Sequence, residues 1–421
     1  MRPLLLASSA VVRGIVGRSR FAAAAAVASL GTACVGGSIS MLESAPRPAG
    51  KLPSPFVRVV SYNVLSSHLC EPSHFVACKP EDLEPAKRLE RLKRALHTHC
   101  ENEAVICLQE VSAQWAGELT PFFEQEGYTF VTGSYGSPFN GYMGVSLAWP
   151  KARFESEAVD ITRASDIRQW PEPPPPPPSP GVIVRGWRRV KKLWGGSPPK
   201  KPFDVQHESK RRHNFIVSAK LRCRRTNEAI AVSTYHMPCL FGSDPKVQVM
   251  VVHAALAAQH ALAFAAGTPC ILAGDFNFGP DSAPYQLVTS GSLPEEHVHY
   301  PPQKAGDTWR PAVTKPLVSA YVSAGKPEPD FTNLATTSWQ SDPFVGTLDY
   351  IFLSSGDWKA SSVRSLPTRE DVLPVCTSYP NAEEPSDHVA IWADLDLLSM
   401  EERGGHAAQA QVGGASAAGA A

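Results

Sequence analysis

Net charge is the first thing this 421-residue chain lacks: 40 Lys and Arg balance 40 Asp and Glu. With no global field to attract a polyanion, any contact with nucleic acid must come from a local basic patch or a bound metal. Paired cysteines are missing too. The nine present, at 34, 70, 78, 100, 107, 223, 239, 270 and 376, are scattered and form no C-x-x-C, which argues against a disulfide scaffold or a zinc site. Cys107 and Cys270 lie inside apolar runs and read as buried thiols. No internal repeat is evident. Acid is absent before Glu43, where four arginines (2, 13, 18, 20) sit among many Ala and Ser, the composition of an organellar transit peptide. Residues 21–41 are uncharged and match the roughly 20 residues that span a bilayer, and a secretory signal has a similar outline. The abundance of small residues ranks a mitochondrial segment at 1–48 first, a plastid one second and a membrane anchor third.

What is present fits one large domain or two ordinary ones, with 43% hydrophobic residues. Strand and helix signals interleave over 53–398, the pattern of an α/β fold. FVRVVSYNVL (56–65) and AVICLQEV (104–111) read as strands, as do 144–149, 214–221, 229–235, 270–274, 348–353 and 389–395. Residues 85–98 begin with Pro and repeat Leu89, Leu92 and Leu96, and 247–266 is Ala-rich, so both read as helices. One segment breaks the pattern. Residues 171–180 are nearly all proline, and 181–201 carry seven Lys or Arg with Trp187 and Trp194 and no acid. Polyproline cannot join a packed core, so 166–206 is expected to be a surface insertion. A solvated loop, a single-stranded nucleic-acid contact and an anionic membrane contact all suit its composition. Residues 399–421 are expected to form a disordered tail.

Polar residues punctuate the strand ends. In GDFNFGPDSAPYQL (274–287), Asp275 and Asn277 bracket Phe276; on an extended chain the two would share one face and act on one substrate atom, although Asp, Asn, Gly and Pro also make plain turns. Similar clusters hold Asn63 in SYNVL, Glu110 in LQEV, His236 in STYHMP, Asp349 in LDYIF, and Asp387 with His388 in SDH. Any one has an ordinary structural explanation. Their joint appearance in this order does not.

The clusters resemble the endonuclease/exonuclease/phosphatase superfamily over 56–398. GDFNFGPDSAPYQLVTSG, LVSAY (317–321), FTN (331–333) and GTLDYIFLS (346–354) are most similar to the Ccr4-type deadenylases with nocturnin, Angel and 2',5'-phosphodiesterase relatives. The resemblance implies a DNase I-like four-layer α/β sandwich, two central mixed sheets flanked by helices, with the site at one end. It also implies a Mg²⁺ cofactor, Mn²⁺ being the alternative. A phosphodiester resists attack because its anionic oxygens repel a nucleophile, so a hard cation bound by carboxylates suits the chemistry. On that pattern Glu110 is the principal metal ligand, Asn63 completes the shell and Asp387 supports a second ion. Asp275 orients or deprotonates the attacking water, Asn277 helps hold the phosphate, and His388 contacts the phosphate with Asp349 fixing its ring. His236, where abasic-site endonucleases commonly carry Tyr, favours the deadenylase and DNase I branches. Phe344 is expected to stack on an adenine, with Pro245 as the other wall. Asn214 is retained, whereas His213 and GYMGVSLAW (141–149) depart from the deadenylases and leave base preference open. The expected activity is 3'-to-5' exoribonuclease on poly(A) or other single-stranded RNA. Phosphatase or phosphodiesterase action on 2',5'-oligoadenylate or NADPH is the second expectation, and a non-catalytic RNA-binding relative the third. No leucine-rich repeat precedes the catalytic region, so docking to a Ccr4–Not-like scaffold by that route is not expected.

Overall fold

The computed structural model of the protein describes residues 56–136, 141–171 and 202–403. The proposed targeting segment, most of the Pro-rich insertion and most of the tail lie outside the described residues. Strands β1 (Val57–Asn63), β2 (Val105–Gln109), β3 (Tyr128–Tyr135) and β4 (Met143–Pro150) join β13 (Trp358–Val363) and β14 (Ile391–Leu397) in one sheet, ordered β13-β14-β1-β2-β4-β3. The second sheet is ordered β5-β6-β7-β8-β12-β9, from β5 (Phe154–Arg163), β6 (Phe215–Cys223), β7 (Ala229–His236), β8 (Cys270–Asp275), β9 (Leu317–Ser319) and β12 (Asp349–Ser354). A hairpin of β10 (Asn333–Ala335) and β11 (Phe344–Gly346) stands apart from both. Each six-stranded sheet is mixed, with one parallel pair: β1 beside β2, and β7 beside β8.

Alternation along the strands divides the core. Val57 and Val59 of β1, Ile271 and Ala273 of β8, and Ile351 and Leu353 of β12 face inward between the sheets. Their neighbours face helices instead: Val60 and Tyr62 pack under the helices Pro85–Glu101 and Ala113–Gln125, and Cys270, Leu272 and Phe352 under Asp244–Ala265 and Ala283–Ser290. This is the expected four-layer α/β sandwich. The helix Asp244–Ala265 is apolar on nearly every side because it is covered on nearly every side, as a core helix should be.

Both stems of the insertion belong to the packed body, so its surface portion is shorter than the sequence reading of 166–206. Val205 and Gln206 are buried in a short helix, Val205–Lys210. Arg168 forms two hydrogen bonds to Asp307, at 2.7 and 2.8 Å, and its guanidinium lies 4.5 and 4.2 Å from the rings of Trp170 and Trp309. At the other end, Ser399 caps a helical turn at 400–403 after β14.

His253 ties the helix Asp244–Ala265 to its neighbours. Its Nε2 faces the Ser209 carbonyl at 3.1 Å and its Nδ1 faces the Tyr235 hydroxyl at 2.9 Å, a pairing that suits the neutral ring. Burial lowers its pKa from 6.5 to about 4. The unfolded chain therefore takes up the proton first. His253 stabilises the fold fully above pH 6.5, and that contribution is lost as pH falls from 6.5 toward 4, by roughly 3 kcal/mol at the acid end. In a pH series of melting curves, the difference between wild type and His253→Gln should shrink over this window; a constant difference would show that protonation of His253 does not matter.

Candidate active site

The two parallel pairs explain where the polar residues meet. In β1/β2 Asn63 pairs with Gln109, in β7/β8 His236 pairs with Asp275, and antiparallel β12 brings Asp349 opposite Asp275. Asn63, His236, Asp275 and Asp349 all continue the inward-facing columns of their strands, so alternation aims them into the space between the sheets. Beneath them Gln109 donates to Thr234 Oγ1 at 3.1 Å and locks one sheet to the other. Gly274 lets β8 lie against β7, since a Cβ there would overlap the Tyr235 carbonyl oxygen.

At the cleft floor, Asn63 Nδ2 donates to Asp275 Oδ2 at 2.9 Å and to Glu110 Oε1 at 3.2 Å. His388 Nδ1 pairs with Asp349 Oδ2 at 2.7 Å, while its Nε2 lies 3.7 Å from Asp275 Oδ2. Burial pulls the His388 imidazolium down, but the carboxylates of Asp349 and Asp275 overcome it and hold its pKa well above the usual range. Burial raises Asp275 and Asp387 above ordinary carboxylates. His236 Nε2 lies 3.4 Å from Asp275 Oδ2, and its Nδ1 meets the Tyr135 hydroxyl at 2.6 Å. Burial keeps that phenol protonated, with its pKa raised well above 10. A phenol that donates to Nδ1 leaves the His236 proton on Nε2, aimed at the cluster. Backbone strain collects here as well: Leu65, Glu110 and Asn277 have φ of 51°, 61° and 52°, a left-handed conformation costly for side chains other than glycine.

The cleft encloses about 780 Å³ and is lined by Glu110, Asn214, His236, Asp275, Asn277, Phe344, Asp387 and His388 among the expected residues. Three expectations need correction. Asn63 turns its oxygen to the Leu65 N–H, at 3.0 Å, so the edge facing the carboxylates is NH₂, and it bridges two acids rather than completing a metal shell. Pro245 starts the helix Asp244–Ala265, which carries it away from the cleft lining; exposed Phe241 lines the cleft from that loop instead. Strand β8 ends at Asp275, and Asn277 reaches the cleft through a left-handed turn closed by its N–H on Asp275 Oδ1 at 2.9 Å. Its amide also donates to the Met237 carbonyl at 2.9 Å. Phe276 does pack on the opposite face, buried among Tyr350, Phe352 and Tyr235. Asn214 faces the cleft while donating to the His236 carbonyl at 2.8 Å.

Several contributors to the site carry little signal in the sequence. Arg88 is fully buried and donates to the carbonyls of Val64, Leu65 and Pro385 at 2.7, 2.6 and 2.6 Å, clamping the chain after β1 to the loop that carries His388. Its signal was an arginine at helical spacing from Leu92, inside the apolar stripe. Tyr135, Arg211, Arg212 and Trp339 also line the cleft; in the sequence, nothing marks them but residue type.

The carboxylates of Glu110, Asp275, Asp349 and Asp387 converge with only two imidazoles among them, and Asp349 Oδ1 has no hydrogen-bond partner. That excess of buried oxygen charge fits a hard divalent cation. Asp275, Asp349 and His388 offer atoms within 4.8 Å of one another; Asp349 lies off the cleft lining, whereas Glu110 and Asp387 open on the cleft, where an ion would meet a substrate phosphate.

A profile of the Endonuclease/Exonuclease/phosphatase family matches residues 60–388. The CCR4-Not complex 3'-5'-exoribonuclease subunit Ccr4 of Aspergillus niger is 25% identical over 378 residues, covering 82% of this chain and 52% of that protein. Human 2',5'-phosphodiesterase 12 is 25% identical over 350 residues, covering 80% and 51%. The chain thus spans about half the length of these relatives. Among solved structures, ANGEL2, described as a 2',3'-cyclic phosphatase, superposes with a TM-score of 0.57 at 20% identity over 80% of this chain and 95% of its own. The human Nocturnin catalytic domain gives 0.50 at 18%, over 82% and 96%. At these identities the structures attest to the fold.

Proposed function

The chain belongs to the Endonuclease/Exonuclease/phosphatase family, and from that premise we propose that it is a divalent-metal-dependent phosphodiesterase removing nucleotides from the 3' end of single-stranded RNA, poly(A) foremost. One observation carries the reading: Glu110, His236, Asp275, Asp349 and His388 meet at the floor of a cleft whose walls hold aromatic rings, Phe241 and Phe344, and cations, Arg211 and Arg212. Mg²⁺, or Mn²⁺ in its place, held by Glu110 and Asp387 would neutralise charge on the scissile phosphate. Asp275, fixed by Asn63 and by the Asn277 N–H, orients the attacking water and takes up its proton. His388, kept charged by Asp349, and His236, kept as its Nε2–H form by Tyr135, donate to the phosphate oxygens. Asn277 supports the Met237 carbonyl and the turn below the phosphate.

A second reading is favoured by one specific finding: a relative named a 2',5'-phosphodiesterase is as similar to the chain as the exoribonuclease is. One panel separates them. The full chain with Mg²⁺ is offered poly(A), other homopolymers, 2',5'-oligoadenylate and NADPH. A shortening ladder on RNA supports the first reading; release of phosphate from NADPH, or cleavage of the 2',5'-linked oligomer alone, supports the second. The arginine-rich, acid-free leader supports a mitochondrial destination, which import into isolated mitochondria would test.

Base preference rests on Phe344. It is half-buried at the cleft wall, and Gly346 leaves room for its ring, since a Cβ there would come within 3.0 Å of it. Stacking one base is worth about 1–3 kcal/mol. Phe344→Ala is therefore expected to melt near the wild-type temperature and to lose about tenfold more activity on poly(A) than on poly(U). A large fall in melting temperature with equal losses on both substrates would assign Phe344 to the core.

A further inference from the structure

The β10–β11 hairpin is rooted in the catalytic floor. Asn333 forms a bridge with His388, Leu334 N–H donates to the Asp387 carbonyl at 2.9 Å, and Val389 N–H donates to the Thr332 carbonyl at 2.8 Å. Phe344 sits on its stem, in register with Ala335. Beyond that pair the loop continues to a turn made by Ser338 and Trp339, closed by Gln340 N–H on the Thr337 carbonyl at 3.1 Å.

Trp339 is 84% exposed yet firmly placed. Ser338 N–H donates to the His74 carbonyl at 2.8 Å, and the His74 ring meets the indole edge-on, centroids 5.1 Å apart at 72°. His74 in turn packs edge-on against Phe75, at 5.0 Å and 86°, and Phe75 is buried. The indole is thus a large ring placed by its contact with His74 and offered to solvent in the cleft wall. An ordered Trp with an open face suits an aromatic partner with a polar rim.

We propose that Trp339 is a second base-stacking platform, which makes the cleft specific for a nucleotide chain rather than a single nucleotide. The inference rests on the phosphodiesterase reading above and names its substrate class. Trp339 is separated from the stem pair Ala335–Phe344 by the loop 336–338 and lines the same cleft, so the two rings can serve different bases of one strand. Arg211 and Arg212 line the same cleft and supply cations for the phosphates between the two rings.

The test measures binding of 5'-fluorescein-labelled oligo(A) of two and six nucleotides to the full chain in EDTA, by anisotropy, beside kcat and KM on both lengths with Mg²⁺. Trp339→Ala should weaken the hexanucleotide by about tenfold, through Kd and KM with kcat unchanged, and the dinucleotide by less than about twofold. Trp339→Phe should recover most of the loss. Because the ring is so exposed, both variants should melt with the wild type, so a folding defect cannot imitate the result. Equal losses on both lengths, or no loss on either as expected of a docking site for another protein, would overturn the platform while leaving the RNA reading standing. A wild type that binds neither oligonucleotide yet hydrolyses NADPH would overturn both.

Discussion

Glu110→Gln is expected to leave almost no turnover, a loss of about 10³-fold or more, while melting within a few degrees of the wild type. The carboxylate is held from both sides, by Ser66 N–H on Oε2 at 3.0 Å and by Asn63 Nδ2 on Oε1 at 3.2 Å. Glutamine keeps the length and one of the two acceptors, so the left-handed backbone at 110 remains supported; losing the other costs about 1 kcal/mol. Removing one of four converging negative charges offsets part of that cost. What glutamine cannot supply is the charge that attracts a cation. Metal binding can be read without activity: Mg²⁺ should raise the wild-type melting temperature, by mass action worth about 2.7 kcal/mol at a hundredfold excess over Kd, and should leave Glu110→Gln unmoved. Wild-type turnover that survives EDTA, or a glutamine variant still stabilised by Mg²⁺, would remove Glu110 from the metal site.

Much of this site was legible because its residues end inward-facing columns. Val57, Val59 and then Asn63, or Ile271, Ala273 and then Asp275, follow the two-residue period that separates the faces of a strand. Apolar runs alternating with helical stripes gave an α/β pattern, and the four layers were what the family resemblance implied. Less was legible where the signal is pairing rather than pattern. That β1 lies parallel to β2 and β7 to β8, which brings four strand ends together, is a property of the folded sheets. The strand β5 was missed because it is an edge: most of Phe154–Arg163 is exposed, so selection for apolar residues on it is weak. The strand β3 was missed for a similar reason, being half-buried over 129–132. Pro245 was misplaced because proline at the first turn of a helix and proline at a loop wall look alike in sequence. The amide orientation of Asn63 depends on one backbone N–H two residues on, which composition cannot reveal.

Asp275 and His388 should fail as a unit. Asp275→Asn and His388→Ala are each expected to cost about 10²–10⁴-fold in kcat, and the double variant should be little worse than the poorer single, because both side chains act on one reacting centre. The structure gives the reason: Asp275 Oδ2 lies 3.7 Å from His388 Nε2, and Asn63 Nδ2, which donates to Asp275 at 2.9 Å, lies 3.5 Å from the same ring nitrogen. Stability should separate the two singles. His388→Ala leaves Asp349 buried without its partner, and breaking a buried pair typically costs about 3–5 kcal/mol. Asp275→Asn removes a carboxylate whose pKa is raised by burial and by the neighbouring Asp349 charge. A buried acid with a raised pKa destabilises the fold at neutral pH, because ionisation is easier in the unfolded chain. Asparagine also gives up one of the two acceptors that serve Asn63 Nδ2 and the Asn277 N–H, at about 1 kcal/mol, so the metal-free variant should melt within a few degrees of the wild type and well above His388→Ala. Losses that multiply in the double variant would mean that the two residues serve separate steps. An asparagine variant that melts well below the wild type would mean that Asp275 is held for structure, and the assignment of the attacking water to it would fall.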